Sequence, residues 1–175
     1  RLVRDAAQLE PVLAEVTAEA QAAFDDPQIY VEKLIRSARH IEVQVLGDGS
    51  TVAHIGEREC SLQRRHQKVI ELAPAPNLDP DTRDKMLTAA CALAGKVGLK
   101  GLATVEFLLG ADGAFAFIEA NPRIQVEHTV TEMVTGIDLV ASQIRLAFGE
   151  TLPQLGLTQA QIPSPQGAAI QLRIS

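Results

Sequence analysis

The segment RHIEVQVLGDGSTVAHIGERE, residues 39–59, restricts the fold more than any other part of the chain. His40, Glu42 and Gln44 alternate with Ile41, Val43 and Val45, the period of two that sends side chains to opposite faces of a strand. Asp48-Gly49 then supplies the residues of a tight turn. A chain with this ladder at its centre must build an antiparallel sheet. A second hairpin is expected in ATVEFLLGADGAFAFIEAN (103–121), turning at Asp112-Gly113, and a third extended stretch in HQKVIELA (66–73). PQIYVEKLI (27–35) and AAIQLRIS (168–175) also read as strands, and APAPN as a loop.

Helices are announced by their ends. Asp5 is an N-cap candidate with Gln8 three residues on, opening a helix to Phe24 whose first turn Pro11 sets apart. Asp79 caps a second helix, with Pro80 at its first position, Gly98 past its end and a buried stripe of Met86, Ala90, Leu93 and Val97. Thr129 and Glu132 have capping-box spacing before a helix over roughly 131–147. PQLGLTQAQIPSPQG (153–167) reads as a linker-like loop. Hairpins mixed with helices indicate an α+β fold, an antiparallel sheet with helices on one side.

Composition narrows the function. The 175 residues are 46% hydrophobic, enough to bury a core as one globular domain or slightly more. A net charge of −6 and a pI near 5.2 speak against nucleic acid as a partner. Cys60 and Cys91 lack metal-ligand spacing, which fits reduced thiols in a cytoplasmic setting. The longest apolar run, Ala89–Ala94, is too short for a membrane span, and no signal-peptide pattern opens the chain.

Three constellations carry chemistry. If Asp112-Gly113 is a two-residue turn, Ala111 pairs with Ala114 and Glu106 lies opposite Glu119. Facing acids destabilise a sheet unless a cation lies between them. With Asn121 on the same face, the all-oxygen set suits a hard cation such as Mg²⁺; the other reading is a solvated acidic face. QRRHQKVIE (63–71) concentrates Arg64, Arg65, His66 and Lys68, with His66, Lys68 and Ile70 on one face if extended. Lys68 would serve as a point charge for phosphate, or the cluster is surface charge partly paired to Glu57 and Glu59. In IEANPRIQVEH (118–128), Glu119, Asn121, Arg123, Gln125 and Glu127 recur at every second position, while Ile124 and Val126 point away. Arg123 can hold an anion and Glu127 can take a proton from it, making a nucleophile of bicarbonate or a carboxylate substrate. A polar face with an internal Arg–Glu pair is the alternative.

Taken in order, RHIEVQVLGD, ERECSLQRRHQKVIELAPAP, EFLL, FIEANPRIQVEHTVTEMVTG and AIQLRIS resemble the biotin carboxylase component of biotin-dependent carboxylases, members of the ATP-grasp superfamily. Relatives of this type include acyl-CoA, pyruvate and urea carboxylases. The resemblance covers nearly the whole chain and implies an ATP-grasp fold. It assigns Glu106, Glu119 and Asn121 to the Mg²⁺ (or Mn²⁺) site on ATP. It places Glu32, Lys33 and Ile35 at the adenine, and His40, Glu42, Gln63, His66 and Leu108 around the sugar and base. Lys68 becomes a phosphate and bicarbonate contact. Arg123, Gln125 and Val126 form the bicarbonate pocket, Glu127 is the general base, and Arg173 stabilises the biotin enolate. The implied reaction is ATP-dependent carboxylation of biotin through carboxyphosphate. Implied partners are ATP, bicarbonate, a biotinylated carrier domain, a carboxyltransferase domain or subunit, and further copies of the parent.

The same resemblance implies a fragment: residues 1–33 as the remainder of a lid subdomain, following a glycine-rich loop, and residues 34–175 as an incomplete main lobe. Such a piece is expected to be inactive alone. GDGST is a shorter turn than many relatives have. Two further readings stay open. One is a bicarbonate-activating ATP-grasp ligase of carbamoyl phosphate synthetase type; the other is a nucleotide-binding module without turnover.

Overall fold

A computed structural model describes residues 1–65 and 67–174. The chain divides into two compact units, Arg1–Leu34 and the remainder from Ile35.

In the first unit, Asp5 caps a short 3-10 turn, Ala6–Gln8, accepting from the amides of Ala7 at 3.0 Å and Gln8 at 3.2 Å. Helix α1, Leu9–Phe24, follows and ends at Asp25 in a left-handed conformation. Pro11 sits in its first turn, where a missing amide hydrogen costs nothing. No residue of α1 is buried. The strand expected over 27–35 does not form. Tyr30 is 83% exposed and Val31 72%, and an extended segment with no neighbouring edge leaves its backbone groups to water.

The second unit is built on one antiparallel sheet. Its strands are β1 (Arg39–Asp48), β2 (Val52–Arg64), β3 (Gln67–Ala73), β4 (Lys100–Leu109), β5 (Phe115–Asn121) and β6 (Ala169–Leu172), in the order β5-β4-β1-β2-β3-β6. The Asp48 carboxylate accepts from the Ser50 and Thr51 amides at 2.9 and 2.7 Å, fixing the β1–β2 turn as expected. Gly47 is required: a Cβ there would meet the Leu99 carbonyl oxygen at 2.3 Å.

Helices cover both faces of the sheet, not one. Ile41, Val43 and Val45 pack with Met86, Leu87, Ala90 and Ala94 of α2 (Pro80–Lys96). Leu46, Ala53, Ile55 and Leu102 face the other way, onto Leu139 and Leu146 of α4 (Leu139–Ala147). Each large side chain so buried contributes about 1.5–3 kcal/mol. Asp79 and Pro80 open α2 as expected, with the Thr82 amide bonded to Asp79 at 2.9 Å. Val97 lies past the last turn, however, and is 70% exposed.

The single helix expected over 131–147 is two. Helix α3, His128–Thr135, stops at Gly136, whose φ of 72° is left-handed. Asp138 then caps α4 through the Ala141 amide at 2.7 Å. The Thr129–Glu132 capping box is absent: Thr129 donates to Gln171 of β6, and Glu132 accepts from the Leu139 amide at 2.7 Å. Nor is 153–167 a linker. Thr151 and Gln154 form a capping box on α5 (Leu152–Leu155), and Leu152 and Leu157 are buried in the second core.

Candidate active site

The site starts at the β4–β5 hairpin, where Glu106 does face Glu119. The route differs from a two-residue turn. Gly110 pairs with Ala114 and Leu109 with Phe115, so the loop is one residue longer. A bulge at Ile118 restores the register before Glu119. Asn121 ends β5, and its amide donates to both carboxylates at 2.9 Å.

Beyond Asn121 the chain is not extended. The Arg123 amide bonds back to the Asn121 carbonyl at 2.8 Å, and the His128 amide to that of Gln125 at 3.1 Å. The period-of-two row therefore breaks after Pro122. Turns carry Arg123, Gln125 and Glu127 to the same cavity nonetheless, and Val126, expected to point away, lines it too. Ile124 packs into the second core.

That cavity, of about 810 Å³, is walled by His40, Gln63, Lys68, Glu106, Leu108, Glu119, Asn121, Arg123, Gln125, Val126, Glu127 and Arg173 among the expected residues. Ala38, Ser61, Gln67 and Ile118 complete it without having been singled out. Glu42 lies beneath the wall, fully buried. Glu32 and Lys33 belong to the first unit, and Ile35 is not part of the wall. His66 falls outside the described residues.

Lys68 is the hub. Its Nζ donates to Glu127 Oε1 at 2.5 Å, to Glu106 Oε1 at 3.3 Å and to Glu42. Glu57 and Glu59, considered as partners of the basic stretch, bind Arg83 at 2.7 Å and Arg39 at 2.9 Å instead. A pairing shift at Val69 separates Lys68 from Ile70, so they do not alternate regularly. Burial alone would lower the Lys68 pKa, but the Glu42 charge and the Glu127 and Glu42 hydrogen bonds outweigh it and raise it.

Under the wall lies a residue the sequence did not mark. Arg58 is fully buried. It donates to Glu42 at 2.5 Å, to Gln44 at 2.8 Å, to Thr131 of α3 at 2.9 Å and to Thr104 of β4 at 3.3 Å. Burial opposes ionisation of Glu42, yet the charges of Arg58 and Lys68 leave its pKa lowered.

Glu106 is similarly held. His40 bonds it at 2.6 Å and Gln125 at 2.9 Å. Gln63 donates to His40 Nδ1 at 2.7 Å, which leaves the ring proton on Nε2 for Glu106. Burial would raise the Glu106 pKa; the bonds from His40 and Gln125 and the Lys68 charge bring it down to about 2. Arg123 has no ion pair among the described residues, only its own neighbour's carbonyl, that of Ile124, at 3.2 Å. The internal Arg123–Glu127 pair is thus not formed.

The donor chemistry fits a divalent cation at the hairpin. Two ionisable carboxylates face each other, bridged by an amide, and Glu119 lies open to solvent. Two tighter groups, His40–Glu42–Glu106 and Glu42–Cys60–Glu127, also bring potential ligands together. They suit a metal less well, because Glu42, common to both, is already bound by Arg58 and Lys68. Burial also raises the Cys60 thiol pKa, keeping it protonated.

Comparison with known proteins identifies the family. Residues 1–155 match the family described as carbamoyl-phosphate synthase L chain, ATP binding domain. Pyruvate carboxylase of Aspergillus niger is 52% identical over the whole chain, which spans 15% of that protein. The mitochondrial pyruvate carboxylase of Homo sapiens is 48% identical, with the same shares. The structure of a biotin carboxylase–beta-gamma-ATP complex from Campylobacter jejuni superposes with a TM-score of 0.88 at 45% identity, over 99% of this chain and 38% of that one. The chain therefore spans well under half of each. No helix of the described residues is long and apolar enough to cross a membrane.

Proposed function

The chain belongs to the family of carbamoyl-phosphate synthase L chain ATP-binding domains, and on that premise we propose that it forms the bicarbonate-activating part of a biotin carboxylase within a biotin-dependent carboxylase. The observation that carries the reading is the state of Glu127. One of its oxygens is bound by Lys68 at 2.5 Å, while the other lies 4.0 Å from Arg173, in the cavity that also holds the Glu106–Glu119 pair.

The residues then divide the work. Arg123, Gln125 and Val126 hold bicarbonate, with Arg123 free to form a charge-assisted pair. Glu127 takes the bicarbonate proton on its unengaged oxygen, a step in which a positioned base contributes about 10²–10⁴-fold. The anion attacks the γ-phosphate of ATP, giving carboxyphosphate and ADP. Lys68 offsets negative charge on the transferring group. Glu106, Glu119 and Asn121 would hold Mg²⁺ or Mn²⁺, which neutralises phosphate charge when bound. Carboxyphosphate yields CO₂ and phosphate; phosphate removes the N1 proton of biotin, and Arg173 offsets the enolate that captures CO₂. His40, Glu42, Gln63 and Leu108 edge the nucleotide's sugar and base. Glu42 does so only indirectly, since it is spent on Lys68 and Arg58.

We assign residues 1–33 to the remainder of a lid and the residues from 34 to the main lobe. Biotin arrives on a carrier domain, and a carboxyltransferase passes the carboxyl group to its acceptor. The test is ADP release from Mg-ATP and bicarbonate, with and without free biotin, by this chain and by a longer protein with complete flanking domains. Biotin-stimulated release by the longer protein supports the reading. Release indifferent to biotin moves it to a ligase of carbamoyl phosphate synthetase type, and nucleotide binding without release to a non-catalytic module.

A further inference from the structure

Glu71 has no part in the mechanism above, yet it is the least satisfied charged group near the site. It is fully buried, and neither carboxylate oxygen has a hydrogen-bond partner among the described residues. A buried acceptor left in that state keeps the cost of its lost hydration. Its nearest cation is Arg173, with Nη2 3.9 Å from Glu71 Oε1 and 4.0 Å from Glu127 Oε2. The guanidinium is therefore suspended between two buried carboxylates and hydrogen-bonded to neither. Its backbone is fixed: the Arg173 amide bonds the Val69 carbonyl at 2.9 Å, and Gln171 pairs with Glu71 across β3 and β6. Only the side chain is free to choose.

We propose that Glu71 is a positioning residue that draws Arg173 off Glu127 and so keeps the second oxygen of the base open for the bicarbonate proton. The inference rests on the role given to Glu127 above. Without the Glu71 charge, the Arg173 side chain closes on Glu127, whose oxygens are then both occupied, one by Lys68 and one by Arg173. A carboxylate clamped by two cations is a weaker base. The groups facing Glu71 are Glu127 before α3, Arg173 after β6, Glu42 on β1 and Lys68 on its own strand. Burial, and then the Glu127 charge, raise the Glu71 pKa against the pull of Arg173.

The test uses the full-length protein and two readouts. In a crystal or cryo-EM structure of Glu71→Gln, the Arg173 guanidinium should move into hydrogen-bond contact with Glu127. A guanidinium that keeps its place overturns the proposal. In biotin-free, bicarbonate-dependent ATP cleavage, Glu71→Gln should slow turnover about ten-fold. In an Arg173→Gln background the same substitution should change the rate less than two-fold, because nothing remains to close on the base. Equal losses in both backgrounds would mean that Glu71 acts only through the fold, and would overturn the proposal. If the parent shows no bicarbonate-dependent cleavage, the proposed function falls, and the structural readout still decides whether Glu71 sets the position of Arg173.

Discussion

On the β1–β3 side of the cavity, Lys68 touches three carboxylates and buried Arg58 braces one of them from behind. On the β5–α3 side, Arg123 has no ion pair among the described residues, and Glu119 receives only the Asn121 amide. Around Lys68 and Arg58 every charged group has a partner. The second leaves charges unmatched, and unmatched charges are what a metal or an anion can join without displacing anything. A site of this kind needs both: fixed charges hold geometry, and free ones bind.

The contrast can be broken from either side. Arg58→Met should do most damage, since it strands Glu42 in the interior; losing one partner of a buried pair costs about 3–5 kcal/mol. Chemical denaturation would register it, and unchanged stability would mean that water reaches Glu42. Glu119→Gln should leave stability intact and cut Mg-ATP-dependent turnover of the parent by about 10²–10³-fold, the scale of losing one electrostatic stabiliser. Wild-type turnover would remove Glu119 from the metal set.

Acid should act on the first side. Glu106 has a folded pKa of about 2 against an ordinary 4.5, so its contribution to stability is fully present above 4.5 and lost as pH falls through about 2. At about 1.4 kcal/mol per pH unit, the contribution is at most about 3 kcal/mol. Glu106→Gln should flatten that loss in melts between about pH 4.5 and pH 2; an unaltered acid limb would assign it to other carboxylates. The smallest effect is expected at Arg123→Ala, which should raise the bicarbonate KM about ten-fold, the cost of one charged hydrogen bond, with the ATP KM unmoved. Equal changes in both constants would make Arg123 a structural residue.

Much of this was legible in advance because strand pairing and helix caps are local signals. The hairpin at 39–59 and the Asp79–Pro80 start both formed where their residues demanded. The Glu106–Glu119 encounter was correct by a cancellation: a turn one residue longer, then a bulge at Ile118. Side-chain parity cannot see either. The expected strand at 27–35 failed because β-propensity does not supply a neighbour. Lys68's partners were hidden for a different reason. Glu42 and Glu57 look alike in the sequence, and only the β1–β2 register puts them on opposite faces, one toward Lys68 and the other toward Arg83. Arg58 was invisible among the acids around it until its burial was known.

The pairing of β6 with β3 has a consequence in time. Gln171 meets Glu71, a hundred residues earlier in the chain. A ribosome adding about 5–20 residues per second needs roughly 5–20 s to cover that interval. Throughout it, β3 is an open edge and the cavity lacks Arg173. Such a non-local contact is entropically late in refolding as well as in synthesis. Lys68, Glu106 and Glu127 all precede β6 in the chain, so the nascent chain passes through a stage that holds the Lys68 ammonium and the Glu127 carboxylate but not the Arg173 guanidinium.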